Sequence, residues 1–446
     1  MSYVICADVG STWTKVAVVD LAGGGLLGAA ARPTTVGTDV LHGLDAAVGD
    51  ATAGLSGVSS APWYVCSSAG GGLRLAVLGY ERLITARAGH QVGLSAGARV
   101  VHVAAGRLDQ AGLVALRAAR PDVVLLVGGT DGGDAEVLLH NAGRLAGARW
   151  RTPVVVAGNV EAAPRVRESL AGRGVPVTVT ENVLPAIGVL VAGPARAAIR
   201  EVFLRHVIGG KRLSRGARFA RLVRAATPDA VLTGVAALAD LVGGDLAVVD
   251  VGGATTDVYS VLVPDERAGG PGAAAAGTLW RARTVEGDLG MRWSAPGVVA
   301  AAAAERLLGP GEDGPLAQAA EVLAADPGRL VEDPAGRAVE RRIATLAAVV
   351  AVRRHARGGG SAGVPARDLR DVRLLVGSGG VLRHAGPAVA GGVLDAVLTD
   401  HGGGWPVPRE ACPVLDVDYV LAAAGLLAGR YPEAVAGLLR RHLERR

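Results

Sequence analysis

The 446-residue sequence predicts an α/β protein built from two duplicated halves. Three observations favour this fold class. Apolar segments typical of buried strands alternate with amphipathic helical segments. The chain is too long for one ordinary hydrophobic core. The stretches "ADVGSTWTKVAVVD" (7–20) and "VVDVGGATTDVYSV" (248–261) share one pattern, in which a strand leads into Asp-Val-Gly, small hydroxyl residues and a second strand. Such a repeat indicates internal duplication.

The first half is predicted to cover residues 1–206. A meander of strands opens it, and "DVVLLVGGTDGGD", "TPVVVAGN" and "GVPVTVTEN" are typical of further strands, with the helix "AEVLLHNAGRLAGA" between the first two. We expect one largely parallel sheet with the meander at one edge. Residues 182–208 are predicted to be helical, with a kink at Pro185 and a break near Pro194.

A basic connector is predicted at 207–230, followed by the second half at 231–446. The connector carries arginines at 212, 215, 218, 221 and 224. This spacing is typical of a surface for an anionic partner or of a solvated helical face, and we favour the second interpretation. In the second half, "DVRLLVGSGGVLRHAG" parallels "DVVLLVGGTDGGDAEV", and an Ala-rich helical insertion is predicted at about 296–357.

The composition bounds the class of protein. A net charge of +5 and a pI near 9.4 suggest an anionic ligand or partner. Three distant cysteines form no disulfide framework, and the absence of a CxxC motif argues against zinc, so a reducing cytoplasm is the expected location. No secretory signal is visible and no stretch approaches 18 uninterrupted apolar residues, so we expect no membrane span. We expect no nucleic-acid partner.

The two glycine turns are suited to phosphate. A glycine-rich hairpin exposes backbone N–H groups, which bind phosphate oxygens, and the hydroxyls of residues 11, 12, 255 and 256 add hydrogen bonds. A carboxylate at the strand end, such as Asp8 or Asp250, suits a hydrated Mg²⁺ that bridges phosphates. Two such turns in duplicated halves predict a clamp around a polyphosphate. The "VGSGG" turn then offers bare backbone to a purine and ribose.

The ordered set of turns resembles the actin, sugar kinase and Hsp70 superfamily. Its first phosphate motif matches Asp8 to Lys15, its second matches Asp250 to Asp257, and its adenosine motif matches Val376 to Val381. More closely, "ADVGSTWTKVAVVD", "GGTDGG", "TENVLPAIGVL", "TVEGDLGMR" and "DVDYVLAAAGLLA" resemble the glutamate mutase accessory protein family, called MutL or GlmL, which is unrelated to the mismatch-repair protein of similar name.

The resemblance implies two ribonuclease-H-like ATPase domains around a nucleotide cleft, with ATP and Mg²⁺ as cofactors. It also implies a chaperone or reactivating role beside an adenosylcobalamin-dependent mutase as partner. Asp8 and Asp250 would hold the metal through water. The nucleotide-binding residues that it implies are Gly10, Ser11, Thr12, Gly252, Gly253, Thr255, Gly377, Gly379 and Gly380.

Two residues are candidates for catalysis. Asp257 would orient the attacking water, although it is equally suited to capping the turn. Lys15 would offset charge on the γ-phosphate, although a surface lysine on a strand fits the same pattern.

Several alternatives stay open at the level of sequence. The loop "TVEGDLGMR" fits either a nucleotide-sensing loop at the cleft or a cap on the following helix. The chain as a whole also fits a small-molecule kinase, a hydantoinase-like ATP-dependent hydrolase or a non-catalytic ATP-binding scaffold. A homodimer is possible on the same grounds.

Overall fold

The computed structural model describes residues 2–69, 73–81, 98–208, 213–262, 281–329, 331–358 and 366–443, together with positions 89, 92 and 93. Its strands are β1 (Tyr3–Val9), β2 (Trp13–Asp20), β3 (Leu26–Pro33), β4 (Trp63–Ser67), β5 (Arg74–Gly79), β6 (Arg99–Ala105), β7 (Val123–Leu126), β8 (Val154–Val156), β9 (Val177–Val179), β10 (Val223–Ala226), β11 (Leu246–Val251), β12 (Thr256–Val261), β13 (Arg281–Glu286), β14 (Leu374–Ser378) and β15 (Cys412–Leu415).

The helices lie between these strands and after the last of them. They are α1 (Val40–Ala51), α2 (Gln110–Ala118), α3 (Glu136–Gly147), α4 (Ala163–Ala171), α5 (Gly193–Val202), α6 (Arg218–Leu222), α7 (Thr227–Val242), α8 (Ala295–Ala304), α9 (Asp313–Ala325), α10 (Pro334–Arg357), α11 (Gly380–His384), α12 (Pro387–Leu398), α13 (Val420–Leu427) and α14 (Pro432–Leu443). Within the described ranges, no helix is long and apolar enough to cross a membrane.

Two sheets share one topology. The N-terminal sheet has the order β10-β4-β1-β2-β3, and the C-terminal sheet has the order β15-β14-β11-β12-β13. In each sheet, three consecutive strands form an antiparallel meander and the other two strands run parallel to its first strand. This is the ribonuclease-H-like arrangement in duplicate, and the predicted fold class is confirmed.

The first half differs from the expected single sheet. Strands β5 to β9 form a separate, all-parallel sheet, the insert sheet, with the order β6-β5-β7-β8-β9. The "GGTDGG" segment follows β7 in this sheet and is therefore not the counterpart of "GSGG", which follows β14. The counterpart of β14 is β4, which runs parallel to β1. The sequence of a fully buried strand does not indicate which strands lie beside it. The predicted correspondence between the "GGTDGG" and "GSGG" segments was therefore wrong.

Two local expectations also differ. Residues 182–192 form no helix, and α5 begins only at Gly193, with Pro194 in its first turn, where proline is tolerated. The predicted connector contains the short helix α6 and the strand β10, which pairs with β4 and completes the N-terminal sheet.

Helices α7 and α13 join the two halves. They follow the equivalent strands β10 and β15 and pack against each other in a hydrophobic core that includes residues from both sheets. Their backbones approach so closely that a Cβ atom added at Gly425 would lie 1.7 Å from the carbonyl oxygen of Ala230. This packing brings the carboxyl ends of β1 and β11 to one cleft.

Candidate active site

The two glycine turns have the same hydrogen-bonded geometry. The Gly10 N–H donates to the Trp13 carbonyl at 3.0 Å, and the Gly252 N–H donates to the Thr255 carbonyl at 2.9 Å. Each turn therefore fixes the register of its hairpin in the same way. In the first hairpin, Lys15 lies directly opposite Asp8.

The second hairpin places Asp257 directly opposite Asp250. Lys15 and Asp257 therefore occupy equivalent positions in the two halves but carry opposite charges. The first hairpin therefore contributes the Asp8–Lys15 ion pair to the cleft, and the second contributes the Asp250–Asp257 pair of carboxylates.

Asp8 is held by three neighbours. The Lys15 Nζ atom lies 3.7 Å from its Oδ2 atom. The Thr227 hydroxyl, at the start of α7, donates to its Oδ1 atom, and the Cys66 thiol on β4 lies 3.6 Å from the same oxygen. Burial raises the pKa of the Cys66 thiol well above its usual value, and the nearby carboxylate adds to this effect, so the thiol stays neutral and acts as a donor.

The two aspartates predicted to bind metal line one small cavity. Asp8, Lys15 and Asp250 face a space of about 30 Å³, enough for one or two water molecules. The other polar side chains around it are Thr227, Ser378, Asp416 and Tyr419. This cavity alone is therefore much smaller than a typical ligand pocket, which has roughly 300 Å³ or more.

Tyr419 lines both cavities of the cleft. The Lys15 Nζ atom lies 3.9 Å from the centroid of its ring, and the Arg383 Cζ atom lies 4.8 Å from the same centroid. The backbone of Tyr419 is left-handed, with φ at 53°, and such strain in a non-glycine residue is often found at functional sites. Its ring therefore lies between Lys15 on β2 and Arg383 on α11, the helix that begins in the adenosine motif.

The charges of the cleft affect one another strongly. Burial raises the pKa of Asp250 to about 6, against the opposing effect of Lys15. Burial likewise raises the pKa of Asp416 to about 6, although this carboxylate accepts the first N–H groups of α13. Burial lowers the pKa of the Lys15 ammonium, but Asp8, Tyr419 and the other carboxylates outweigh it, so this pKa lies above its usual value.

Asp257 is held by a buried arginine. The Arg283 Nη2 atom on β13 donates to its Oδ2 atom at 2.9 Å. The Oδ1 atom of Asp257 is buried and has no hydrogen-bond partner among the described residues. A fixed carboxylate with one unsatisfied oxygen is suited to accept a hydrogen bond from water.

The residues of the adenosine motif have different roles. Gly377 is buried on β14 and faces the side chains of Leu382 and Leu394, so it packs against helices. Gly379 has φ at 105°, and a Cβ atom there would lie 2.2 Å from the Val251 carbonyl oxygen, which only glycine permits. Gly380 begins α11 and faces the hydroxyl of Tyr419 across the cleft.

The hydroxyl residues of the two turns differ in their exposure. Ser11 and Thr12 are exposed at the tip of the first turn, and Thr255 is half-buried at the second. The buried Thr256 donates its hydroxyl to the Leu289 carbonyl, so it is unavailable to phosphate, against the sequence expectation.

The loop "TVEGDLGMR" packs on the second phosphate turn. The N–H groups of Met291 and Arg292 donate to the carbonyls of Gly252 and Gly253 at 2.9 and 2.8 Å. Arg354 on α10 holds the loop through Asp288 and Glu286. The loop therefore packs on the second glycine turn and also leads directly into α8. Its position is compatible both with a nucleotide-sensing loop and with a cap on the following helix.

Sequence reasoning missed six charged or hydroxyl-bearing residues that line the two cavities. These are Thr227, Ser378, Arg383, Asp416, Asp418 and Tyr419. The only local signal was the pair of aspartates in "DVDYV" before a helix of small residues, which is typical of a helix N-cap. Among the described residues, no group of three or more His, Cys, Asp or Glu side chains could hold a metal by itself.

Comparison with known proteins gives consistent matches over the whole chain. A family model described as MutL protein matches residues 4–443. Protein MutL of Clostridium tetanomorphum is 33% identical over 465 residues, which cover 99% of each chain. Among solved structures, nucleotide-free acetone carboxylase shows 17% identity and a TM-score of 0.42, covering 96% of this chain and 70% of that chain. A glycerol dehydratase reactivase shows 14% identity and a TM-score of 0.35, covering 96% and 99%.

Proposed function

The chain belongs to the MutL protein family, and from this premise we propose that it is an ATP-dependent accessory protein of an adenosylcobalamin-dependent mutase such as glutamate mutase. In this proposal it hydrolyses ATP and acts as a chaperone or reactivating factor that releases damaged cobalamin from the mutase. The proposal rests on the family resemblance of the whole chain and on the chemistry of the cleft.

One observation carries the nucleotide part of the proposal. Asp8 and Asp250 come from equivalent strand ends of two matching sheets, and both line a single cavity together with Lys15. The glycine turns that follow these two aspartates are suited to hold a polyphosphate from both sides.

The donors around the cavity fit Mg²⁺. Two hard carboxylates and the hydroxyls of Thr227 and Ser378 match a cation that keeps several waters and takes few protein carboxylates. We propose that Asp8 and Asp250 hold it through water, and that bound Mg²⁺ neutralises phosphate charge.

The remaining roles follow from position. We propose that the turns at Gly10 to Thr12 and at Gly252 to Thr255 bind phosphate oxygens through backbone N–H groups. Lys15 then stabilises charge on the γ-phosphate, and the free oxygen of Asp257 orients the attacking water. Gly379 and Gly380 provide bare backbone beside the adenosine.

Turnover measurements test this proposal. Phosphate release from ATP and Mg²⁺ should occur with no added small-molecule acceptor and should rise when a purified adenosylcobalamin-dependent mutase carrying hydroxocobalamin is added. Release of the hydroxocobalamin should require ATP. Turnover that needs a small-molecule acceptor, with no response to the mutase, would instead identify a kinase or an ATP-dependent hydrolase.

A further inference from the structure

The insert, which we define as residues 68–222 between β4 and β10, supplies none of the described residues that line the two cavities. It has its own parallel sheet and its own core on the outer face of that sheet. A domain of this size, whose described residues line neither cavity, is available for a different contact.

The carboxyl edge of the insert sheet carries a loop that specific hydrogen bonds hold in place. The direction of strand order changes between β5 and β7, and such a switch point is where open parallel sheets usually bind their ligands. The "GGTDGG" loop, residues 128–133, follows β7 at this edge. Two buried asparagines fix it, since Asn159 donates to the carbonyls of Thr130 and Gly133, and Asn182 donates to that of Gly129.

Exposed aliphatic side chains gather at the same edge. Ile187 is 70% exposed, Val189 is 49% exposed, Val160 is 40% exposed and Val179 is 37% exposed. We call these four residues the carboxyl-edge patch. Single exposed apolar residues are ordinary, but a group of them marks an interaction site.

Asp131 ties the segments of the patch together. Its Oδ1 atom accepts the N–H of Val160 at 3.2 Å and the side-chain amide of Asn182 at 2.8 Å. Its own N–H donates to the carbonyl of Pro185 at 3.0 Å, which anchors the turn that carries Ile187. The patch is therefore a fixed surface of this edge.

The charge around the patch limits what can bind there. The three segments that carry it, residues 128–136, 157–164 and 177–195, contain no basic residue, in a chain whose net charge is +5. Their acidic residues are Asp131, Asp134, Glu136, Glu161 and Glu181. Glu136 pairs with Arg107, and Arg165 directly follows the second segment, so among the described residues the other four acids exceed the single nearby unpaired arginine. An acidic rim repels nucleic acid and anionic membranes, whereas it attracts a protein surface bordered by Lys and Arg.

We propose that the carboxyl-edge patch is the docking surface for the mutase, which would present an aliphatic patch bordered by basic residues. This inference rests on the proposed function and names the surface that the partner occupies.

A continuous set of contacts links the insert to the nucleotide site. Helix α5, which leaves the insert, carries Arg200, and its guanidinium bonds to Asp229 in the first turn of α7. Thr227, two residues earlier, donates its hydroxyl to Asp8 in the cleft. Movement of Asp8 and α7 on nucleotide binding therefore reaches the insert directly, and mutase affinity should depend on the bound nucleotide.

Binding of the chain to a purified glutamate mutase-type enzyme, loaded with hydroxocobalamin and immobilised for biolayer interferometry, tests the inference. The double variant Ile187→Ser with Val189→Ser should lose affinity about tenfold or more and keep its basal ATP hydrolysis. Val114→Ser is the matched control, because Val114 is 57% exposed on α2 of the same insert, and it should bind as wild type does. Glu181→Lys should weaken binding and reduce its dependence on salt.

The outcomes separate the two proposals. Equal affinity of the double variant and the wild type would overturn the docking surface and leave the proposed function standing. A wild-type chain that does not bind the mutase at all would overturn both. Self-association that the double variant abolishes, seen by sedimentation, would assign the patch to a second copy of the chain and overturn mutase docking. Arg200→Gln should reduce the effect of ATP on mutase affinity, and an unchanged effect would refute the link through α5.

Discussion

Asp8 and Asp250 hold equivalent positions, yet their surroundings predict opposite effects on stability when each is neutralised. Asp250→Asn should stabilise the nucleotide-free protein at pH 7.5. Asp8→Asn should destabilise it. Both variants should lose Mg²⁺-dependent ATP hydrolysis, because each removes a carboxylate proposed to hold the metal.

The size of the Asp250 effect follows from its pKa. Burial raises that pKa to about 6 in the folded protein, about two pKa units above the ordinary value of 3.8. Above both values, the ionised carboxylate therefore costs the folded state up to about 3 kcal/mol. The folded state gains its proton first as the pH falls, so this cost disappears between about pH 6 and pH 4. Asparagine removes the cost at every pH.

The Asp8 effect has the opposite sign because this carboxylate is well paired. It lies 3.7 Å from the Lys15 ammonium and accepts the Thr227 hydroxyl. Its neutralisation leaves Lys15 without its nearest counter-charge in the cleft, and the expected loss of stability is about 1 kcal/mol.

Urea unfolding followed by circular dichroism, without nucleotide or metal, measures both effects at pH 7.5 and pH 5. The gain from Asp250→Asn should shrink at the lower pH. Asp240 is an exposed aspartate on α7, and Asp240→Asn should change neither stability nor turnover. A less stable Asp250→Asn protein at pH 7.5 would refute the electrostatic argument. Normal turnover in either folded cleft variant would refute the metal assignment.

Three further predictions concern the cleft. Tyr419→Ala should raise nucleotide affinity severalfold in calorimetry, because the ring takes up space beside both cavities, whereas Tyr419→Phe should not; equal affinities of the Tyr419→Ala and wild-type proteins would contradict this. Gly379→Ala should cost several kcal/mol in urea unfolding because its Cβ atom would lie 2.2 Å from a carbonyl oxygen, while Gly380→Ala serves as the mild control. Asp257→Asn should lower kcat by a factor of about 10² to 10⁴ and leave nucleotide affinity within about threefold; a change confined to affinity would argue against a water-orienting role.

The hairpin geometry of the two glycine turns was predictable because it is local. The Asp-Val-Gly pattern sets where the strand ends, and the length of the turn sets the register, so Lys15 faces Asp8 and Asp257 faces Asp250. The cross-strand pairs therefore follow from hairpin geometry, without any knowledge of the tertiary fold.

The partner of a buried strand was not predictable in this way. "DVVLLVGGTDGGD" and "DVRLLVGSGG" are both apolar runs that end in glycine, yet they belong to different sheets. Their similarity reflects burial on both faces, which every central parallel strand shares.

Residues that are brought together by helix packing also could not be predicted from the sequence. Thr227 begins α7 and Tyr419 directly precedes α13, and the mutual packing of these helices depends on the close approach at Gly425. Nothing near Tyr419 in the sequence indicates that Lys15, about 400 positions away, lies against its ring. Long-range contacts of this kind depend on the assembled fold.

The duplication explains why the two sides of the cleft have the same backbone geometry. The chemistry of the cleft depends on the equivalent positions at which the two halves carry different residues. Two identical halves would place either two lysines or two aspartates opposite Asp8 and Asp250, the carboxylates proposed to hold the metal. Two lysines would neutralise both carboxylates and compete with a metal, and two aspartates would repel the phosphates. Lys15 in one half and Asp257 in the other avoid both conflicts. In the proposed function, one side of the cleft is thus suited to a phosphate, and the other is suited to a water molecule that would attack it.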